Sequence, residues 1–241
     1  MSVQEGFCDI HTHVLPDVDD GPRTIEESLS IIGEAAAVGV RKILCTPHIS
    51  AESPSSLLDT IAGQFDLLRK SQMNKIDGVE ISLGAELMIH PDLAEAIQRD
   101  VRLTVNGKGR FALIEMPLSE IPLYARSVLF DLLVKGTTPI WAHPERCRGV
   151  MRDYRVLAPY IQSGVLIQLN AGSLLGLYGW SVRRTAEKLL KNGYVHLCAS
   201  DTHRSGNMKD RWPKAYGKIV KIAGETKAVE LCSMTPSRVM G

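Results

Sequence analysis

About seven times along the chain, a short apolar or β-branched run closes on a residue of metal-ligand type and gives way to a helical pattern. That alternation constrains the fold more than any other feature. Strands alternating with helices specify a parallel sheet, because parallel neighbours need a crossover between them. Seven such units in one chain predict an α/β fold of the closed (β/α)7 TIM-like barrel type, with its chemistry gathered at the C-terminal ends of the strands.

The first strand runs from Gly6 to Ile10 and stops at His11-Thr-His13. Thr24-Ile-Glu-Glu27 has the form of a capping box, and Ile25, Leu29, Ile32 and Ala36 continue it as a helix to Gly39. VRKILCT then ends at Pro47-His48, and a helix from Ser56 to Ser71 leads to the strand Val79–Leu83 and to Gly84-Ala85-Glu86. Asn106-Gly107 between two β-like runs suggests a hairpin, whose second run, RFALIEM, carries Glu115. A helix from Ile121 to Val134 precedes TPIWAHPER, which closes on His143. VLIQLNAG and VHLCASDTH follow, the latter closing on Asp201 and His203, and a helical region from Lys209 to Cys232 comes last. No linker or low-complexity run divides this pattern, so residues 1–241 read as one domain.

The bulk numbers exclude several classes. A net charge of +1 over 241 residues gives no reason to expect nucleic acid as a partner. The stretch after His203 holds more Lys and Arg than acids; a solvated basic face accounts for it, and an anionic substrate or partner is the alternative. No apolar stretch reaches the roughly 20 residues of a membrane span, and MSVQEGF lacks a signal-peptide pattern. Five cysteines without a CxxC pair argue against a disulfide framework and for a cytoplasmic setting.

The ligand-type residues are His11, His13, Asp20, His48, Glu86, Glu115, His143, Asp201 and His203. In His11-Thr-His13 the period of two puts both imidazoles on one face, where they can share an ion, and Asp201-Thr-His203 repeats the spacing. A lone His48 or His143 is more often a structural histidine than a ligand. Five of the seven histidines at strand ends, together with four acids, point instead to metal. Mixed imidazole and carboxylate donors suit Mn, Zn or Fe rather than Ca, and nine donors fit two or three ions. Among the first-loop acids, Asp20 is preferred over Asp17 and Asp19 because it adjoins Gly21. His196 reads as packing inside a strand, and His90 as a loop residue that could border the pocket.

Arg146, three residues past His143, is placed either to grip a tetrahedral oxyanion or to pair with a neighbouring acid. Arg204 and Arg211 are further substrate-binding candidates. Cys198-x5-Arg204-Ser205 matches the cysteine-phosphatase signature formally. The would-be cradle, however, has no glycine and places Asp201 where phosphate would sit, so the match reads as coincidence.

In their order, DIHTHVLPDVDDG, TPH, GAE, IEM, HPER and ASDTH resemble the polymerase-and-histidinol-phosphatase (PHP) superfamily. More closely, they resemble its bacterial capsule- and exopolysaccharide-associated, manganese-dependent protein-tyrosine phosphatases. The resemblance spans nearly the whole chain and implies a distorted barrel of PHP type with three divalent metals, Mn foremost. It implies the nine residues above as ligands, Arg146 as the holder of substrate phosphate, and Asp201 and His203 beside it in catalysis. It also implies hydrolysis of phosphotyrosine by metal-activated hydroxide, with a tyrosine autokinase controlling polysaccharide export as the substrate protein. The segment RSGNMKDRW after ASDTH does not clearly carry the family's second phosphate-binding arginine. The alternatives are another PHP phosphoesterase, acting on histidinol phosphate or a similar monoester, and a non-catalytic regulator that binds phosphotyrosine or a kinase.

Overall fold

The computed structural model describes residues 6–73, 75–206 and 208–241; the N-terminal stretch read above for a signal peptide is mostly outside them. The described strands are β1 (Phe7–Thr12), β2 (Val40–Cys45), β3 (His48–Ile49), β4 (Glu80–Leu83), β5 (Glu86–Met88), β6 (Phe111–Glu115), β7 (Thr138–Ala142), β8 (Leu166–Asn170) and β9 (Leu197–Ala199). All pair in parallel, in the orders β1-β2-β4 and β3-β5-β6-β7-β8-β9.

The two sheets form one wall. Thr46-Pro47 interrupts β2/β3 and Gly84-Ala85 interrupts β4/β5, yet Gly84 N–H donates to Cys45 O at 2.9 Å and Glu86 N–H to Pro47 O at 3.0 Å across the break. Counting each interrupted strand once leaves seven staves. The barrel closes between its first and last staves: Asp201 N–H donates to His11 O and His13 N–H to Thr202 O, each at 2.9 Å, with a parallel bridge between Thr12 and Thr202. The fold is a distorted TIM-like (β/α)7 barrel.

Inside the barrel, Cys8, Ile10, Leu44, Leu113, Ile140 and Leu197 pack together, and Val239 and Met240 of the last helix join the same cluster. A larger apolar layer lies between barrel and helices, with Trp141 its largest fully buried side chain. The first helix, Ile25–Ala37, is capped as its sequence requires: Thr24 Oγ1 accepts from Glu27 N–H at 3.3 Å. Glu27 returns the bond to Arg23 N–H rather than to Thr24.

Three sequence expectations need correction. Asn106-Gly107 is not a hairpin tip: residues Val101–Leu103 and Val105–Gly107 are 3-10 turns, and β6 pairs in parallel with β5 and β7. Both residues do take the positive φ that such a dipeptide favours, 56° and 60°. The left-handed Asn106 donates its side-chain amide to Met240 O at 2.6 Å, tying the turn to the last helix. The helix expected from Ile121 starts at Ala125. His196 precedes β9 rather than lying within it, and its Nδ1 accepts from Ile167 N–H at 3.1 Å.

Candidate metal centre

A bulge in β1 sets the site's floor. Asp9 pairs with Ile43 and Thr12 with Cys45, so β1 carries one residue more than its neighbour over that span. An extra residue reverses side-chain parity along a strand. Ile10 therefore fills the barrel interior, and His11 and His13 also turn inward where strict alternation would send them outward.

Around these two imidazoles stand groups from almost every stave. His11 Nε2 lies 3.2 Å from Glu86 Oε2 and 3.4 Å from Asp201 Oδ1; His13 Nε2 lies 3.2 Å and 3.5 Å from the same two oxygens. His143 Nε2 is 2.9 Å from Glu86 Oε1 and 3.7 Å from Glu115 Oε1. His48 Nδ1 is 3.1 Å from Glu86 Oε2, and His203 Nε2 is 3.2 Å from Asp20 Oδ1. All nine sequence candidates thus meet at one mouth of the barrel. They fall into overlapping groups: His11, His13 and Asp201; His11, Glu86 and His143; His48, Glu86 and Glu115; and His13, Asp20, His48 and His203.

Tautomers decide what such a cluster can hold. His11 Nδ1 faces Gln168 Oε1 at 3.0 Å, an oxygen that also accepts from His143 N–H while Gln168 Nε2 donates to Asn170. His13 Nδ1 faces Asp19 Oδ2 at 2.7 Å, and His203 Nδ1 faces the carbonyl of Asp201 at 3.0 Å. Each Nδ1 therefore carries the proton, and each Nε2 turns a lone pair into the cluster. In the neutral, metal-binding form of the rings, His11 Nε2 and His13 Nε2, 3.2 Å apart, have no proton to share. Between them and His48, Glu86 Oε2 is buried without a hydrogen-bond partner. Converging lone pairs around an orphaned carboxylate oxygen fit a divalent cation.

The electrostatics agree. Burial works against charge on His11 and His13, but Glu86 and Asp201 around the first, and Asp19 and Glu86 around the second, raise them to about 9 and about 10. Burial likewise opposes ionisation of Glu86, yet His11, His13 and His143 hold it well below the usual carboxylate range. Burial and the charge of Glu86 push Glu115 up. Without a metal these carboxylates draw protons onto His11 and His13; a bound cation would supply the same positive charge and free their Nε2 lone pairs.

Strain accompanies the ligands: His143 and Asp201 both take left-handed backbone, φ 33° and 54°. The first loop is equally constrained, since a Cβ at Gly21 would lie 2.4 Å from His13 O. That tight return brings Asp19 under His13 and Asp20 towards His203 and His48, while Asp17 stays outside near Arg23.

Of the two roles its sequence position allowed, Arg146 takes the pairing with a neighbouring acid, at the rim of the cavity. Nη1 pairs with Asp201 Oδ2 at 3.1 Å, and the guanidinium stacks 4.4 Å above the Tyr178 ring at the edge of the cavity. Asn170 Nδ2 holds the same Oδ2 at 2.6 Å, which leaves Oδ1 to the histidines. The cavity measures about 330 Å³; Arg204 lines it, whereas Arg211 lines an adjoining hollow. His90 faces Glu52 and Asp92 instead. Cys198 is buried, and its hydrogen bond to Cys232, with burial, pushes the thiol well above its normal range, so it offers no thiolate.

Sequence reasoning missed Gln168, Asn170, Glu145, Asp19 as an orienting group, and Tyr178. The signal for the first two was present: two amides spaced by two in the apolar run VLIQLN share one face. Buried Glu145 accepts from Asn170 N–H and Ser173 Oγ–H, and so fixes the turn after β8.

The chain is a TIM-like barrel with a His/Asp/Glu cluster at its mouth and an arginine beside it. Barrels of that kind share the fold at 12–14% identity, including a phosphotriesterase homology protein from Escherichia coli (TM-score 0.61) and histidinol phosphate phosphatase from Lactococcus lactis (TM-score 0.57). The chain belongs to the CpsB/CapC family of capsular polysaccharide synthesis, whose model matches residues 7–241. It is 33% identical over 218 residues to the putative tyrosine-protein phosphatase CapC of Staphylococcus aureus, covering 87% of this chain and 85% of that one. It is 30% identical over 239 residues to the tyrosine-protein phosphatase CpsB of Streptococcus pneumoniae, covering 97% and 98%. A crystal structure from the work on YwqE of Bacillus subtilis and CpsB of Streptococcus pneumoniae, described as unique metal-dependent tyrosine phosphatases, superposes with a TM-score of 0.86 at 26% identity, covering 97% and 94%.

Proposed function

We propose that this chain is a metal-dependent protein-tyrosine phosphatase, a single PHP-type catalytic unit over its length. The observation that carries the reading is the convergence of two Nδ1-anchored imidazoles, His11 and His13, with His48 on the orphaned oxygen of Glu86. Family membership supplies the substrate class. The overlapping groups His11, His13 and Asp201; His11, Glu86 and His143; His48, Glu86 and Glu115; and His13, Asp20, His48 and His203 would hold two or three ions. Mn is the ion the family resemblance favours for this mixed imidazole and carboxylate set, with Zn or Fe as alternatives. Divalent ions there supply Lewis acidity towards the phosphoryl group and the attacking water.

The chain's own groups do the rest. Arg146, held flat by Tyr178 and aimed by Asp201, grips the phosphoryl oxygens as charge builds on them. Asp201 and His203 form the wall against which the phosphate is oriented, and Arg204 reaches the same cavity. Cys198 takes no part. The protein substrate is a phosphotyrosine protein, and by family a tyrosine autokinase of polysaccharide export. Among the described residues no helix is long and apolar enough to cross a membrane.

The test is hydrolysis of a phosphotyrosine peptide after exhaustive chelation and again after Mn²⁺ is restored, beside Cys198→Ser. Loss and recovery with metal, and an active Cys198→Ser, are expected. Full activity in chelated protein that vanishes with Cys198→Ser overturns the reading.

A further inference from the structure

The helix Met208–Ala223 leaves the rim of the metal cavity with a row of cations on one face. Arg211, Lys214, Lys218 and Lys221 recur at three- and four-residue intervals, which stacks them along one stripe. With Leu175 and Leu177 they line a groove of about 590 Å³. Leu177 and Arg211 also line a hollow of about 260 Å³, and that hollow shares Tyr178, Asp201, His203 and Arg204 with the metal cavity. A continuous depression therefore runs from the ligand cluster onto the basic helix.

Its charges are uncompensated. Among the described residues, Arg204, Arg211, Lys214 and Lys221 form no ion pair with a carboxylate. Lys218 donates to Leu174 O at 2.8 Å, and Asp210 is the single acid lining the groove. Like charges at this spacing repel one another, so the row costs stability unless an anion sits along it. Ten residues of helix separate Arg211 from Lys221, roughly 15 Å at the α-helical rise. About four or five residues of extended peptide cover that distance.

We infer that this track binds an acidic, extended segment flanking the phosphotyrosine of a protein substrate. The inference rests on the phosphatase reading above and adds what the enzyme recognises beyond the phosphorylated residue. A peptide suits the surface better than a bilayer does. The track is concave, has an apolar edge at Leu175 and Leu177, and opens directly into the cavity that would hold the phosphate.

The experiment uses the full chain loaded with Mn²⁺ and four substrates: free phosphotyrosine, and phosphotyrosine peptides with neutral flanks, with five acidic residues on the N-terminal side, or with five on the C-terminal side. One acidic peptide should show a KM about tenfold below that of the neutral peptide, a gap that narrows as salt is raised, given the modest worth of each exposed pair. In the double variant Lys214→Glu, Lys221→Glu that advantage should disappear, with kcat and hydrolysis of free phosphotyrosine unchanged. Equal KM for all peptides, with free phosphotyrosine still hydrolysed, overturns the track and leaves the phosphatase reading standing. Failure to hydrolyse any phosphotyrosine substrate overturns the reading beneath it. Binding to phosphatidylglycerol vesicles that the double variant loses, without any change in peptide KM, assigns the face to a membrane and overturns the peptide.

Discussion

His11-Thr-His13 and Asp201-Thr-His203 have the same spacing, and their threonines form the bridge that closes the barrel. They reach the metal centre by different means. The first lies at the end of a bulged strand, with both imidazoles essentially unexposed and both Nδ1 atoms tied to side chains. The second lies beyond its strand, where a left-handed Asp201 turns one carboxylate oxygen to the histidines and gives the other to Asn170 and Arg146. His203, a quarter exposed, has its Nδ1 on the Asp201 carbonyl and its Nε2 beside the exposed Asp20. One arm is built into the floor and the other is hinged at the mouth, so equal spacing in sequence does not mean equal rigidity.

Substitutions can break that contrast. His11→Ala should have the largest effect, because it removes a ligand from the buried floor. Losing one transition-state donor costs about 10²–10³ in rate, and His11→Ala should exceed that, with fewer ions retained by elemental analysis. His203→Ala should cost less, on the order of 10² in kcat/KM, with the floor ions retained; a loss equal to that of His11→Ala would erase the difference between the arms.

Asp19→Ala tests the anchoring of the first arm. Removing an orienting partner of a ligating histidine typically lowers metal affinity about 10–100-fold, and an Mn²⁺ titration of activity should shift by that much. Asp17→Ala, on the outside of the same loop, should leave the titration where it was. The threonines make the smallest and sharpest pair. Buried Thr12 donates its hydroxyl to Leu44 O at 2.8 Å, whereas Thr202 Oγ1 lies 3.5 Å from Arg204 O. Thr12→Val should lower unfolding stability in urea by about 1 kcal/mol, and Thr202→Val should have no measurable effect.

Much of this was legible in the sequence because ligand residues and strand periods repeat together. Every candidate ligand except the loop residue Asp20 could be placed at a strand end, and the number of units suggests barrel closure. The bulge in β1 was not legible: apolar and polar residues alternate there with nothing to mark an inserted position, and only pairing with β2 reveals it. Asn106-Gly107 misled because its positive φ values serve a 3-10 turn as well as a hairpin, and a local dipeptide carries no information on what its flanks pair with. Tyr178 was invisible for a different reason. An aromatic in a loop far from Arg146 in sequence gives no sign that the two will stack.

Barrel closure has a consequence for synthesis. The two histidines of β1 emerge from the ribosome first, and Asp201 and His203 follow only after most of the chain is made. Until β9 docks against β1, the group of His11, His13 and Asp201 and the group that includes His203 are incomplete. Full metallation therefore reports that the first and last staves have joined. An ion gained at that moment stabilises the seam between first and last staves more than any other part of the barrel.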